Sequence, residues 1–470
     1  MSGPEDTERP RPATPGTRPP VPPRPLPVPH WGFTTTQVHA GQVPEPSTGA
    51  RALPIFQTTA YVFPDAETAV ELFNGHRTGF TYARVNNPTV AVVEERIAAL
   101  ERDSAAVLLS SGQAAVTATV FTLANAGDHV VASASLYGGT RTLLANNLSK
   151  HGISTTFVDD QADPAAWQAA VTPRTKLFLG ESLPNPRGDV LDIEVVAEVA
   201  HRNGVPLVVD NTVATPYLIR PFEWGADIVV HSATKYLSGH GTVLAGAVVD
   251  GGTFDFSADP ARWADFNEPL PGYDDLVFAR DYGTGGPLAP GGRNMAFAAK
   301  LRGEQLHDQG ACLSPFNAFL LAQGVETLSL RMDRHVANAQ GIAQWLHDRD
   351  DVASVSYSGL ADSPYRALVD RYSDHGAGAI IAFDLPGGRE AGLTFVSALK
   401  LHSLVANIGD VRSLAVHPAT TTHGQISPEE QLQAGITPGT VRLSVGIEDL
   451  PDLLADLELG FDAVARAGLL

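Results

Sequence analysis

The chain has 470 residues, 43% hydrophobic and 18% charged, with a formal net charge of −20. This composition fits a globular protein of two or three domains. The acidic balance argues against nucleic acid as a partner, because phosphate binding needs a basic surface. One cysteine, Cys312, excludes an intrachain disulfide and a four-cysteine zinc site. No apolar run reaches membrane-spanning length, so no membrane partner and a cytoplasmic location are expected.

In chain order, "RPRPATPGTRPPVPPRPLPVPH" occupies residues 9–30. This proline- and arginine-rich stretch lacks the apolar region of a signal peptide and a core pattern, so residues 1–30 are expected to form a solvated tail. From about residue 100, strand and helix alternate. "AAVLLSS", "DHVVAS", "TKLFLGE", "VPLVVDN", "ADIVVHS" and "VLAGAVVD" read as buried strands. "GQAAVTATVFTLANA", "TRTLLANNLSKHG" and "VLDIEVVAEVAHRNG" read as helices, the last two stopped at Gly152 and Gly204. That order predicts an α/β fold with a mainly parallel sheet covered on both faces.

Residues 251–300 break the rhythm and read as an elaborated loop. "PFNAFLLAQGVETLSLRMDRHVANAQGIAQWLHD" then carries helical periodicity, as two helices. Strands at "VASVSYSG", "GAIIAFDL" and "TVRLSVGI" and a final helix in "LPDLLADLELGFDAVARAG" predict a smaller α+β unit. On the third of these strands Val441, Leu443 and Val445 take one face, leaving Arg442 and Ser444 on the other. His417 and His423 in "HPATTTH" lack a further ligand at metal spacing, so no metal site is expected.

Ligands of parallel sheets bind outside the carboxyl ends of the strands. Five strands place polar groups there: Ser111, Gly112 and Gln113 at a helix start, Tyr137, Asn185 in "SLPNP", Asp210, and Ser232, Thr234 and Lys235. Each has an ordinary explanation alone, as a helix start, a rim aromatic, a turn cap or a surface lysine. Together they supply an anion cradle, a flat ring, a buried carboxylate and an amine. Those groups suit pyridoxal 5′-phosphate, whose phosphate needs backbone amides, whose ring nitrogen needs a carboxylate and whose aldehyde needs a lysine.

The stretch "VVDNTVATPYLIRPFEWGADIVVHSATKYLSGHGTVLAG" closely resembles the cofactor-lysine signature of the Cys/Met-metabolism family of pyridoxal-phosphate enzymes, and the resemblance extends from about Gly32 to Asp456. It implies the aspartate-aminotransferase-like fold: a large domain with a seven-stranded-type sheet over residues 81–310, including the 251–300 insertion, and a C-terminal α+β domain over 311–470. Residues 31–80 would form an arm reaching the neighbouring subunit.

By the same resemblance Lys235 is the Schiff-base lysine, Asp210 the pyridinium partner and Tyr137 the stacking ring, all three catalytic, with Tyr137 and the incoming Tyr82 expected to assist as acid or base. Gly112, Gln113, Ser232 and Thr234 bind phosphate, with Asn185 beside the cofactor. Tyr82 and Arg84, in "FTYARVNNPT", reach the neighbouring subunit's cofactor, which implies a homo-oligomer, usually a tetramer of dimers sharing active sites. Arg442 clamps the substrate carboxylate, with Asn407 and Tyr82 near the substrate.

"GFTTTQVHAGQVPEPSTGARALPIFQTTAYVF", "AFAAKLRGEQLHDQGACLSPFNAFLLAQGVETLSLRMDRH" and "NIGDVRSLAVHPATTTHGQISPEEQ" resemble the O-acetylhomoserine sulfhydrylase branch. That branch implies a transferase of methionine biosynthesis acting on O-acetylhomoserine with sulfide or methanethiol. Sibling chemistries remain alternatives at this stage: cystathionine γ-synthesis, γ-lyase cleavage of methionine or cystathionine, or an O-succinylhomoserine donor. A non-catalytic cofactor-binding scaffold is a more distant one.

Overall fold

Two β-sheets organise the computed structural model, which describes residues 31–469 except 75–76, 103–104, 274 and 425–426. The proline-rich tail over 1–30 lies outside the described residues. The larger sheet comprises β1 (Ala105–Leu109), β2 (His129–Ser133), β3 (Ser154–Val158), β4 (Thr175–Glu181), β5 (Leu207–Asp210), β6 (Ile228–His231) and β7 (Gly246–Asp250). Their order is β1-β7-β6-β5-β4-β2-β3. From β6 to β3 every neighbouring pair is parallel. β7 runs antiparallel between β1 and β6, so the expected mainly parallel sheet contains one reversed strand.

The strands are nearly continuous in apolar residues because helices cover both faces. Side chains divide by the two-residue period. Val131, Phe178, Val209 and Val229 enter one core, and Val130, Leu177, Leu179, Val208 and Val230 the other. The covering helices begin on polar caps: Ser111 accepts from the Ala114 N–H ahead of Gly112–Leu123, and Asp192 from the Val195 N–H ahead of Ile193–Arg202. β3 is an edge strand whose outward residues are exposed, and its weak apolar pattern hid it from the sequence reading.

The segment over 251–300 holds more structure than a loop. Short helices form at Ala264–Asn267, Phe278–Asp281 and Ala296–Lys300. Phe256 stacks on Phe266 at 3.9 Å and meets Trp263 edge-on at 5.1 Å, so aromatic contacts order a stretch without periodicity.

The second sheet contains β8 (Ser354–Ser356), β9 (Ile380–Asp384), β10 (Ser403–Leu404), β11 (Leu414–Val416) and β12 (Thr440–Ser444) in the order β10-β11-β12-β9-β8. The two helices expected before it are Pro315–Val325 and Leu328–His347. Val441, Leu443 and Val445 are fully buried in the core, and Arg442 takes the opposite face of β12.

β7 passes so close to the head of the Gly112–Leu123 helix that a Cβ on Gly246 would stand 2.0 Å from the Ser111 carbonyl oxygen. Gly246→Ala is therefore expected to cost about 1–3 kcal/mol through forced backbone movement. A Cβ on Gly303 meets Phe278 at an ordinary 3.7 Å, so Gly303→Ala should not lower stability. Thermal unfolding of the two variants side by side checks the contrast.

Candidate active site

The parallel register sets three strand ends side by side. Glu181 at the end of β4 pairs in register with Asp210 at the end of β5, and Asp210 with Val230 of β6. After β6 the chain turns through Ser232 to Lys235. β12 of the second sheet brings Arg442 to the same place.

Lys235 Nζ donates to Asn407 Oδ1 at 2.5 Å. Arg442 Nη2 donates to the Asn407 backbone oxygen at 3.1 Å, and its Nη1 to Asn185 Oδ1 at 3.1 Å. Its Nε is buried without a partner among the described residues. Burial, and then the Arg442 charge, lower the Lys235 amine to about 8. Burial also lowers Arg442 to about 10. Two cations thus converge on one dry space, which favours an anionic ligand and a neutral, nucleophilic amine.

Asp210 Oδ1 accepts from Thr212 Oγ1 at 2.5 Å and from the Thr212 N–H at 3.0 Å. Thr212 Oγ1 in turn accepts from the Ser232 N–H at 2.8 Å, linking the carboxylate to the lysine turn. Burial raises the Asp210 carboxyl, and the Thr212 hydrogen bonds oppose that rise. Glu181 is raised further, first by burial and then by the Asp210 charge. Its Oε1 accepts from the Tyr137 N–H at 2.5 Å. Glu181 therefore holds the proton of the pair and leaves Asp210 as the anion.

The Tyr137 ring is 53% exposed, so a planar ligand can reach it. At the head of Gly112–Leu123, Ser111 satisfies the Ala114 amide. The amides of Gly112 and Gln113 have no partner within the helix and can face an anion. A Cβ at Gly112 would meet Ser232 Cβ at 2.6 Å, so only glycine lets the helix head and the Ser232 turn approach this closely. The Gln113 side chain accepts from Thr140 Oγ1 at 3.3 Å.

Thr234 lies in the same turn as Lys235. Its hydroxyl donates to the Ala245 oxygen at 3.2 Å and accepts from the Ala245 N–H at 3.0 Å, so it is engaged in holding the lysine turn against the chain leading to β7. Tyr82 and Arg84 are not joined to the lysine cluster within one chain. Arg84 donates to the His307 carbonyl and lies 5.5 Å from the Tyr82 ring, which is 44% exposed.

Two contributors escaped the sequence reading. Glu181 was visible as the last residue of "TKLFLGE", but its carboxyl gains meaning only from the register with Asp210. Thr212 follows Asp210 by two residues, the spacing of a local side-chain turn, and that signal was available.

Residues 34–462 match the profile of the Cys/Met metabolism PLP-dependent enzymes. The chain is 49% identical to an O-acetyl-L-homoserine sulfhydrylase of Corynebacterium glutamicum, covering 92% of this chain and 98% of that protein. A homocysteine synthase of Schizosaccharomyces pombe is 45% identical over the same shares of the two chains. Among solved structures, a putative O-acetylhomoserine (thiol)-lyase of Campylobacter jejuni carrying N′-pyridoxyl-lysine-5′-monophosphate superposes with a TM-score of 0.87. It is 35% identical, covering 92% of this chain and 100% of that one. MetB of Corynebacterium glutamicum gives 0.77 at 33% identity, covering 92% and 98%.

The lowered Lys235 amine makes a stability prediction. Its folded value is about 8 against an ordinary 10.5, so between these the unfolded chain binds more protons and stability rises with pH. Below about 8 the cost of the buried charge is fully present. Without cofactor at pH 7, Lys235→Met should be more stable than the parent by on the order of 1–3 kcal/mol. The gain should shrink as pH rises from about 8 to 10.5. Urea unfolding across that range checks it.

Proposed function

The chain belongs to the Cys/Met metabolism PLP-dependent enzymes, and on that premise we propose that it replaces the acetate of O-acetylhomoserine with sulfide or methanethiol, giving homocysteine or methionine. The observation that carries this reading is the near-full-length identity of 44–49% to proteins named O-acetyl-L-homoserine sulfhydrylase. The geometry supports it, because a half-buried amine of lowered pKa faces a guanidinium with an unpartnered Nε.

The residues present fit pyridoxal phosphate. Gly112 and Gln113 would hold the phosphate through backbone amides, with the Ser232 hydroxyl beside them. Asp210 would keep a proton on the ring nitrogen, and Tyr137 would cover a ring face. Bound there, the group supplies an aldehyde for Lys235 and a protonated ring that withdraws electrons from the substrate's α-carbon. Thr234 would act by fixing the turn that carries Lys235.

Arg442 would bind the substrate α-carboxylate in the planar fork that suits it, oriented by Asn185 and the Asn407 carbonyl. Lys235 Nζ, neutral over part of the working pH range, would accept the α-proton and then move a proton at the β-carbon. Acetate leaves the γ-carbon with the carbon–oxygen electron pair, and sulfur takes its place. Asn407 Oδ1 would keep Nζ aimed between these positions.

We extend the reading to a cytoplasmic homo-oligomer in methionine biosynthesis, with Tyr82 and Arg84 serving a second copy's site. No helix among the described residues is long and apolar enough to cross a membrane. Val62, Val70 and Phe73 are 99%, 59% and 64% exposed on the 31–80 arm, which supports burial of this arm against another subunit.

Purified protein with pyridoxal phosphate, O-acetylhomoserine and sulfide should release acetate and homocysteine in equal amounts. Cystathionine from cysteine, 2-oxobutanoate alone, or turnover only with O-succinylhomoserine would move the assignment to a sibling reaction. Lys235→Ala should lose at least ~10²–10⁴-fold in kcat, the weight of a positioned acid–base group. Arg442→Ala should lose about 10- to 100-fold in kcat/KM, the weight of a charge-assisted hydrogen bond. Steady-state kinetics on both variants checks the roles.

A further inference from the structure

His423 lies on the segment between β11 and β12, and the assigned chemistry makes no use of it. Its Nε2 stands 4.0 Å from the position of a Cβ on Gly138, the residue after Tyr137. The backbone fixes it on two sides: its N–H donates to the Pro418 oxygen at 2.9 Å, and its oxygen accepts from Gln431 Nε2 at 2.8 Å. Nδ1 meets Thr422 Oγ1 at 2.9 Å. With Nδ1–H donating to that hydroxyl, Nε2 carries the lone pair on the Gly138 side and has no hydrogen-bond partner among the described residues. His417, six positions earlier, differs: both its nitrogens are engaged, by Thr420 Oγ1 and the Pro438 oxygen at 2.9 and 2.8 Å.

Burial first, and then the Arg442 charge, hold the His423 imidazole below its ordinary range. Arg442 reaches it from β12, and Tyr137 is the titratable side chain next to the opposing Gly138. The ring is therefore neutral at neutral pH, in the state that accepts a proton. The roles given above to Lys235 and Arg442 leave one half-reaction without an assigned proton acceptor, and Tyr137, placed over the ring face, is a phenol rather than a neutral base. Lys235 serves the α- and β-carbons, but an incoming alkyl thiol arrives mostly protonated at pH 7 and must lose that proton as sulfur bonds to carbon.

We propose that His423 Nε2 is the proton acceptor for the thiol nucleophile. In this step the S–H bond breaks and its proton passes to Nε2. The freed sulfur pair forms the bond to the γ-carbon, from which acetate has already left, while the β,γ double bond left by that departure opens and its π pair is taken up by reprotonation of the substrate carbons. The imidazolium, unfavourable beside Arg442, then returns the proton to water.

The inference rests on the γ-replacement reading, and the test separates the two. His423→Gln holoenzyme is assayed with O-acetylhomoserine and methanethiol, following acetate and methionine separately. The cofactor absorbance should match the parent's. Acetate release should persist, now yielding 2-oxobutanoate, and methionine formation should fall ~10²–10⁴-fold. The deficit should narrow as pH rises and the thiol ionises unaided, a recovery that a folding defect would not show. Thr422→Val, which removes the Nδ1 partner, should give a smaller loss of the same kind. Equal loss of acetate and methionine, or a deficit independent of pH, would overturn the role of His423. A parent protein that releases no acetate would instead overturn the γ-replacement reading.

Discussion

An amine and a guanidinium share one poorly solvated space between the two sheets, and the site is organised around that conflict. Neither charge is comfortable there: burial lowers Lys235 to about 8 and Arg442 to about 10, and the Arg442 charge lowers Lys235 further. Asn407 and Asn185 neutralise neither; they orient both groups through neutral oxygens. An aldehyde on the amine and a carboxylate on the guanidinium, the roles proposed above, would answer both charges at once.

The larger sheet and the second sheet make unequal contributions. The larger one supplies a row of strand ends whose register cannot be altered without moving Glu181, Asp210 and the Lys235 turn together. The second supplies Arg442, whose direction follows from the burial of Val441 and Leu443 on the other face of β12. Behind the row a further layer sets protonation. Glu181, raised by burial and by the Asp210 charge, pins the Tyr137 backbone, and Thr212 opposes the rise that burial imposes on Asp210 while tying it to Ser232.

Much of this was legible in the sequence because the responsible forces are local. Continuous apolar runs marked β1, β2 and β4 to β7, and strand-end polarity marked Lys235, Asp210 and Tyr137. The alternation over "TVRLSV" fixed the face of Arg442. Elements that depend on distant partners were not legible. β3 lies at an edge with an exposed face, and β10 and β11 are too short to show a period. The order within 251–300 comes from aromatic contacts across chain segments. The engagement of Thr234 with Ala245 and the pairing of Glu181 with Asp210 arise only when separate strands meet. His423 was noted in sequence beside His417, and only the tertiary fold brings it to Gly138 and Arg442.

The account rests most directly on Lys235 holding the aldehyde. Borohydride reduction of purified protein with pyridoxal phosphate, followed by mass mapping of the peptides, tests it. The account predicts a single reduced pyridoxyl adduct on Lys235, absent in the unreduced control. An adduct on another lysine, or none at saturating cofactor, would contradict it.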